Sequence, residues 1–117
     1  MIKIVNVTPH PLNFRDVDGN EFEVPLSGVV LNATPIEEVV GRHASGADLI
    51  RVRFEGFPEA LDALEFLERK NPGAVIVGSM IAARAFPGRV FGLIATPGYE
   101  RCPAGEKRMN PKRFSVF

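Results

Sequence analysis

The sequence predicts an α+β fold, a mainly antiparallel sheet of about five to six strands with one long and one short helix. Three observations carry that prediction. Apolar and polar side chains alternate in several stretches, an Asp-Gly turn joins two of them, and one central segment changes to three- and four-residue spacing. At 117 residues the chain has room for one hydrophobic core and too little for two. A composition 45% hydrophobic and 24% charged excludes wholesale disorder.

Taken in order, Ile2, Ile4, Val5 and Val7 read as the first strand. Thr8-Pro9-His10-Pro11 interrupts it, because two prolines within three residues remove backbone donors and force an edge, bulge or kink. The strand pattern resumes at Leu12-Asn13-Phe14. Asp16-Val17-Asp18-Gly19-Asn20 then supplies a turn, since Asp-Gly favours positive φ. The return strand places Phe22, Val24 and Leu26 on one face and Glu21 and Glu23 on the other. Ser27-Gly28 turns the chain into a third strand, Val29-Val30-Leu31. A fourth spans Leu49–Phe54, where Leu49, Arg51 and Arg53 alternate with Ile50, Val52 and Phe54.

The long helix begins at Pro58, a residue tolerated in a first turn, with Glu59 at the positive end of the dipole. Phe57, Ala60, Leu61, Leu64 and Leu67 recur at helical spacing, and Asn71-Pro72-Gly73 ends the element. Ala74–Val77 reads as a buried strand, Met80–Ala85 as a short helix stopped by Phe86-Pro87-Gly88, and Val90–Ile94 as the last strand. The domain is thus expected over residues 1–98. Residues 99–117 are expected to form a basic, Pro/Gly-rich tail whose last residues, Phe114 to Phe117, are apolar enough to dock.

No apolar run reaches the roughly 18–20 residues that cross a bilayer, so no membrane partner is expected. Met1-Ile2-Lys3-Ile4-Val5 leads straight into strand pattern, so no cleaved signal is expected either. One cysteine makes no internal disulfide, which fits a reducing cytoplasm. The formal net charge of zero hides an asymmetry. Residues 1–83 hold seven basic and twelve acidic side chains, net −5, and residues 84–117 hold seven basic and two acidic, net +5. The basic end either meets an anion or folds against the acidic part of its own or another copy.

The candidate chemistry is sparse. Gly78-Ser79 joins a strand to a helix, where free N–H groups and a hydroxyl suit an anion; Arg84 and Arg89 would add charge. A serine at this place is more often only an N-cap. The glycine spacing and lysine of a P-loop are missing, so nucleotide triphosphate hydrolysis is not expected. His10, His43 and Cys102 match no zinc spacing, and no cofactor is expected. Ser79 has no G-x-S-x-G surround, so an enzyme is expected less than a binder. The Thr8–Pro11 bulge either ends strand pairing or presents Thr8 and His10 to a ligand.

Ile4-Val5-Asn6-Val7-Thr8-Pro9-His10-Pro11-Leu12-Asn13, the Asp18-Gly19-Asn20 turn and Pro25-Leu26-Ser27-Gly28 together resemble the opening of a family of small uncharacterised phage and prophage proteins. Gly73-Ala74-Val75-Ile76-Val77-Gly78-Ser79-Met80-Ile81-Ala82 resembles that family's strand-to-helix stretch. Where the family carries Arg-x-Asp after the short helix, this chain has Arg89-Val90-Phe91. The resemblance implies a phage accessory protein acting in the host cytoplasm. Its expected work is to sequester a small anionic, cyclic-nucleotide-type signal of bacterial immunity as a homo-oligomer. Thr8 and His10 would take base or ribose, Gly78 and Ser79 the phosphate, and Arg84 and Arg89 the charge. The alternative is a non-catalytic interaction or virion-associated protein docking a partner through its basic C-terminal part; nucleic acid is the less expected partner.

Overall fold

The computed structural model describes residues 3–117, so Met1 and Ile2, the latter assigned above to the first strand, lie outside the described residues. The fold is α+β with mostly antiparallel pairing, as the alternation and the helical segment predict. Its strands are β1 (Ile4–Asn6), β2 (Leu12–Arg15), β3 (Glu21–Val24), β4 (Ala33–Arg42), β5 (Asp48–Gly56), β6 (Val75–Val77), β7 (Gly92–Ala95) and β8 (Met109–Ser115). The helices are α1 (Pro58–Lys70) and α2 (Met80–Ala85), with a 3₁₀ turn at Ala104–Glu106.

Among the described residues, eight strands in three sheets replace the five to six expected in one sheet. The orders are β1-β6, β3-β2-β8-β7 and β4-β5. Three local differences account for this. Val29–Leu31 is not a strand: Val29 bonds through its N and O to the Ser27 hydroxyl, and Leu31, buried, donates its N–H to Val7 O at 3.3 Å. The strand instead starts at Ala33, in a segment whose Pro35 and adjacent Glu37-Glu38 hide its alternation. Residues 109–115, assigned by sequence to a basic tail, form β8 between β2 and β7. Backbone pairing holds that strand regardless of the charges on Lys112 and Arg113, both exposed.

Several local readings agree with the structure. The Asp16–Asn20 turn closes the β2–β3 hairpin with Gly19 at φ 90°, where a side chain would be strained. Its register sets Phe14 opposite Phe22, ring centroids 5.3 Å apart. In α1, Pro58 opens the helix and the Asn71 backbone N–H returns to Leu67 O. Leu64 and Leu67 are its buried face, packed with Val5, Val7, Ile76, Ala82, Ala83, Phe86 and Val90 in one core.

The two-stranded β1-β6 sheet and the four-stranded sheet form one hydrogen-bonded circuit. β1 and β6 pair in parallel, Val5 opposite Ile76. A parallel bridge joins Val77 to Phe91, with Gly78 N donating to Phe91 O at 3.0 Å and Phe91 N to Ile76 O at 2.8 Å. Phe91 leads into β7, β7 pairs with β8, and β8 pairs with β2, which continues β1 through the Thr8–Pro11 kink. The kink is therefore the corner that lets one run of chain belong to two sheets.

The β4–β5 hairpin lies outside that circuit. The molecule measures 53 × 35 × 20 Å with a radius of gyration of 16.5 Å. A compact chain of this length would have about 13 Å. The difference is the arm: every residue from Glu37 to Arg53 is exposed.

Candidate functional site

The sequence-predicted residues occupy two neighbouring places. Parallel pairing of β1 with β6 continues through Val7 N to Val77 O at 3.0 Å. The carboxyl ends of the two strands therefore leave the sheet side by side, one toward Thr8 and His10, the other toward Gly78 and Ser79. Arg84 and Arg89 lie beyond, on α2 and after it.

Thr8 is spent on the kink. Asn6, 1% exposed, is its buried anchor. Asn6 Oδ1 accepts from Thr8 N at 2.9 Å and from Thr8 Oγ1 at 2.6 Å, while Asn6 Nδ2 donates to His10 O at 2.7 Å. The amide thus spans the bulge from both sides and replaces the ladder bonds that the prolines cannot make. Ser27 N donates to Asn6 O at 3.1 Å, which ties the Pro25–Gly28 turn to the same point. Two of the stretches that carry the phage-family resemblance, Ile4–Asn13 and Pro25–Gly28, are hence tied together at Asn6. His10 is exposed beside it.

Gly78 and Ser79 serve the fold in the same way. A Cβ on Gly78 would lie 2.8 Å from Val90 Cγ1 and 3.2 Å from Val7 Cγ2, so glycine permits the close packing of β6. Ser79 Oγ accepts from Ala82 N at 3.2 Å and is the N-cap of the six-residue α2.

The two arginines point in different directions. Arg89 Nε donates to Glu68 Oε2 at 3.2 Å and its Nη2 bonds the other carboxylate oxygen, a bidentate pair between α1 and the chain after α2. That hydrogen bond to Glu68 raises the Arg89 pKa above its ordinary value, against a smaller opposing effect of burial. Arg84 lies over the Phe117 ring, 5.1 Å from its centroid, so the last residue of the chain docks on α2. The basic end also meets the acidic part at Arg108, whose Nε donates to Glu21 at 2.8 Å. Arg108 holds the Glu21 carboxyl below its usual range, with Arg15 adding to the effect. Two of the seven basic residues after position 83 are thus paired with acids of the first part.

Two clefts flank this body. One, about 290 Å³, lies between β1, the turn after β3 and the end of α1, with Lys3, Asn6, Ser27 and Lys70 among the residues that line it. The other, about 530 Å³, lies at the base of the arm among Phe54, Phe57, Leu61, Phe86 and Arg89. Gly56 gives Phe86 its seat there, since a Cβ on Gly56 would fall 2.1 Å from the ring. His10 stands at the kink, His43 at the arm's turn and Cys102 in the loop before the 3₁₀ turn. Among the described residues no group of three or more His, Cys, Asp or Glu side chains could hold a metal, and no helix is long and apolar enough to cross a membrane.

Sequence alone offers one face of this arm, Arg51 with Arg53, as usually a solvated face that could also contribute to an anion pocket. Cross-strand partners share a face, so Pro35/Phe54, Glu37/Val52, Val39/Ile50 and Arg42/Asp48 form one side. Ile36/Arg53 and Glu38/Arg51 form the other, where Arg53 also pairs with Glu55. A bulge between Val39 and Gly41 keeps Arg42 and Asp48, 3.4 Å apart, on the first side. The turn closes through His43 N to Ala47 O at 2.8 Å, with Gly46 at φ 93°. On the first side Val39, Ile50 and Val52 are 61%, 43% and 45% exposed. The signal was legible in part: the alternation from Asp48 to Phe54 demands an antiparallel partner within hairpin reach, and Thr34, Ile36, Val39 and Val40 supply its β-branched residues.

Comparison with protein-family models, with curated proteins and with solved structures finds no match for this chain.

Proposed function

We infer that the chain is a non-catalytic interaction protein, of the phage accessory kind its motifs suggest, which docks a protein partner through the β4–β5 arm. The apolar strip Val39, Ile50 and Val52 on a projecting hairpin carries this reading. An arm held in solvent contributes little to its own core, while each fully covered aliphatic side chain contributes about 1.5–3 kcal/mol on association. The basic C-terminal part, proposed from sequence as the docking element, has its strand inside the sheet and two of its arginines paired within the fold. The arm is the better candidate for that role.

The test is cross-linking mass spectrometry on the full chain expressed in bacteria, wild type against a Val39→Asp/Ile50→Asp variant. Protein cross-links from residues 37–52 that vanish in the folded variant support the reading. Cross-links unchanged by the variant refute it.

The adjacent carboxyl ends of β1 and β6 favour a second reading, a small anionic ligand of nucleotide type near Thr8, His10 and Ser79. Ligands often bind where parallel strands end and the chain turns away. Melting curves with a panel of cyclic nucleotides test it; a midpoint rise lost in His10→Ala supports it, and flat curves across the panel sink it.

A further inference from the structure

We propose that the cleft between β1, the turn after β3 and the end of α1 binds a small amphipathic anion, an apolar body with one anionic head. The site is separate from the arm, and Thr8, His10 and Ser79 are not among the residues that line it.

Charge is the first argument. Lys3 and Lys70 line the cleft and no carboxylate lines it with them. Among the described residues neither lysine is in an ion pair. Lys70 Nζ stands over the Phe66 ring, 5.7 Å from its centroid, which sets one of the two charges at an aromatic wall of the cleft. The neutral polar side chains already serve the fold. Asn6 spans the kink, Ser27 Oγ donates to Val29 O at 3.1 Å, and Asn71 Nδ2 donates to Leu67 O at 3.0 Å. The Asn71 backbone N–H bonds the same Leu67 oxygen, so a carbonyl at the helix end that would repel an anion is occupied. What remains to meet the polar end of a ligand is a pair of ammonium groups. The larger cleft at the arm's base differs on this point: its Arg89 is paired with Glu68 and its Glu55 with Arg53.

Shape is the second argument. Val24, Leu26, Val29 and Phe66 give the cleft apolar walls, and Leu26 and Phe66 are about half exposed. The Pro25-Leu26-Ser27-Gly28 turn builds one of those walls. Gly28 sits at φ 89°, and Ser27 Oγ accepts from Val29 N at 3.2 Å, which fixes the turn locally. Ser27 N to Asn6 O at 3.1 Å and Asn6 Nδ2 to Val24 O at 3.5 Å tie the turn to β1, so the cleft is formed before a ligand arrives. Its volume, about 290 Å³, lies at the small end of the range of roughly 300–1,000 Å³ for ligand pockets. That suits a short aliphatic chain or a single aromatic ring, with the charged head directed to the lysines.

Amide NMR spectra of the full chain, titrated with phenylbutyrate, test the assignment. Phenylbutanol serves as the probe without the charge and acetate as the probe without the body. Phenylbutyrate is expected to shift amides of residues 3–6, 24–29 and 66–71 saturably. Phenylbutanol and acetate should each bind at least about fivefold more weakly. Lys3→Gln combined with Lys70→Gln, both at exposed positions, should raise the phenylbutyrate dissociation constant at least about fivefold and leave that of phenylbutanol within about twofold. Phe66→Ala, also exposed, should weaken both, and the same spectra report that each variant is folded. Equal binding of the acid and the alcohol, acetate binding as tightly as phenylbutyrate, or binding indifferent to the lysine exchange overturns the proposal. Shifts centred on residues 37–52, or on Thr8, His10 and Ser79, overturn it as well, as does the absence of saturable shifts at millimolar ligand.

Discussion

Replacing Asn6 should destabilise the protein far more than its polar character suggests. Its side chain makes three contacts of 2.6–2.9 Å across the Thr8–Pro11 kink from a site only 1% exposed. Each buried hydrogen bond contributes about 0.5–1.5 kcal/mol net, and stranding a partner costs more. His10 is exposed, so water can reach part of what Asn6→Ala leaves behind. The expected loss is about 2–3 kcal/mol, against a total stability of about 5–15 kcal/mol for a domain of this kind. Urea denaturation followed by circular dichroism measures it, and the midpoint should fall by about 1–2 M. Thr8→Val removes one hydroxyl and should cost about 1 kcal/mol. Asn6→Asp keeps the acceptor for Thr8 but turns a lone pair toward His10 O. Its loss should match that of alanine at neutral pH and shrink on acidification, when a protonated carboxyl can donate again. An Asn6→Ala cost below about 0.5 kcal/mol would show that the kink is held by its prolines and neighbours, and the argument from the amide would fail.

The other predictions follow from single contacts. Gly56→Ala drives a methyl into the Phe86 ring and Gly78→Ala crowds Val90 and Val7, so each should cost about 1–3 kcal/mol by chemical denaturation, with Gly56→Ala the worse. Arg89→Ala breaks a bidentate but half-exposed pair with Glu68, and a melting curve should show a loss of only about 0.5–1 kcal/mol. Glu21 has a folded pKa below its ordinary 4.5, so its stabilisation is complete above that value and is lost as pH falls through the depressed one. The Glu21→Gln variant should therefore show a shallower fall in melting temperature between neutral and acid pH than the wild type; parallel curves would remove Arg108–Glu21 as a contributor.

Local order was largely legible in the sequence. Asp-Gly at 18–19, Pro58 with the Leu64/Leu67 spacing, and Asn71-Pro72-Gly73 are instructions read within a few residues, and the hairpin and α1 follow them. What the sequence hid were elements whose reason for existing lies elsewhere in the chain. β8 carries Pro111, Lys112 and Arg113 and has little strand pattern of its own, yet it completes the sheet because β2 and β7 present free backbone groups on either side. β4 has no buried face to impose alternation, so its strand follows from β5 and the turn between them.

The same division holds for function. The sequence by itself determined the α+β class, the kink with its Asn6-Val7-Thr8-Pro9-His10 motif, and a charge split of −5 against +5. Each is a property of neighbouring residues or of composition. Only the tertiary structure decided that Arg89 and Arg108 are paired with Glu68 and Glu21, and that Val39 and Ile50 stand on an uncovered arm. Those are facts about which groups meet across 21 to 87 residues of chain, and about which apolar surface is left without a neighbour. A valine in a strand reads alike from sequence whether the fold covers it or leaves it exposed, because burial is decided by what packs against it.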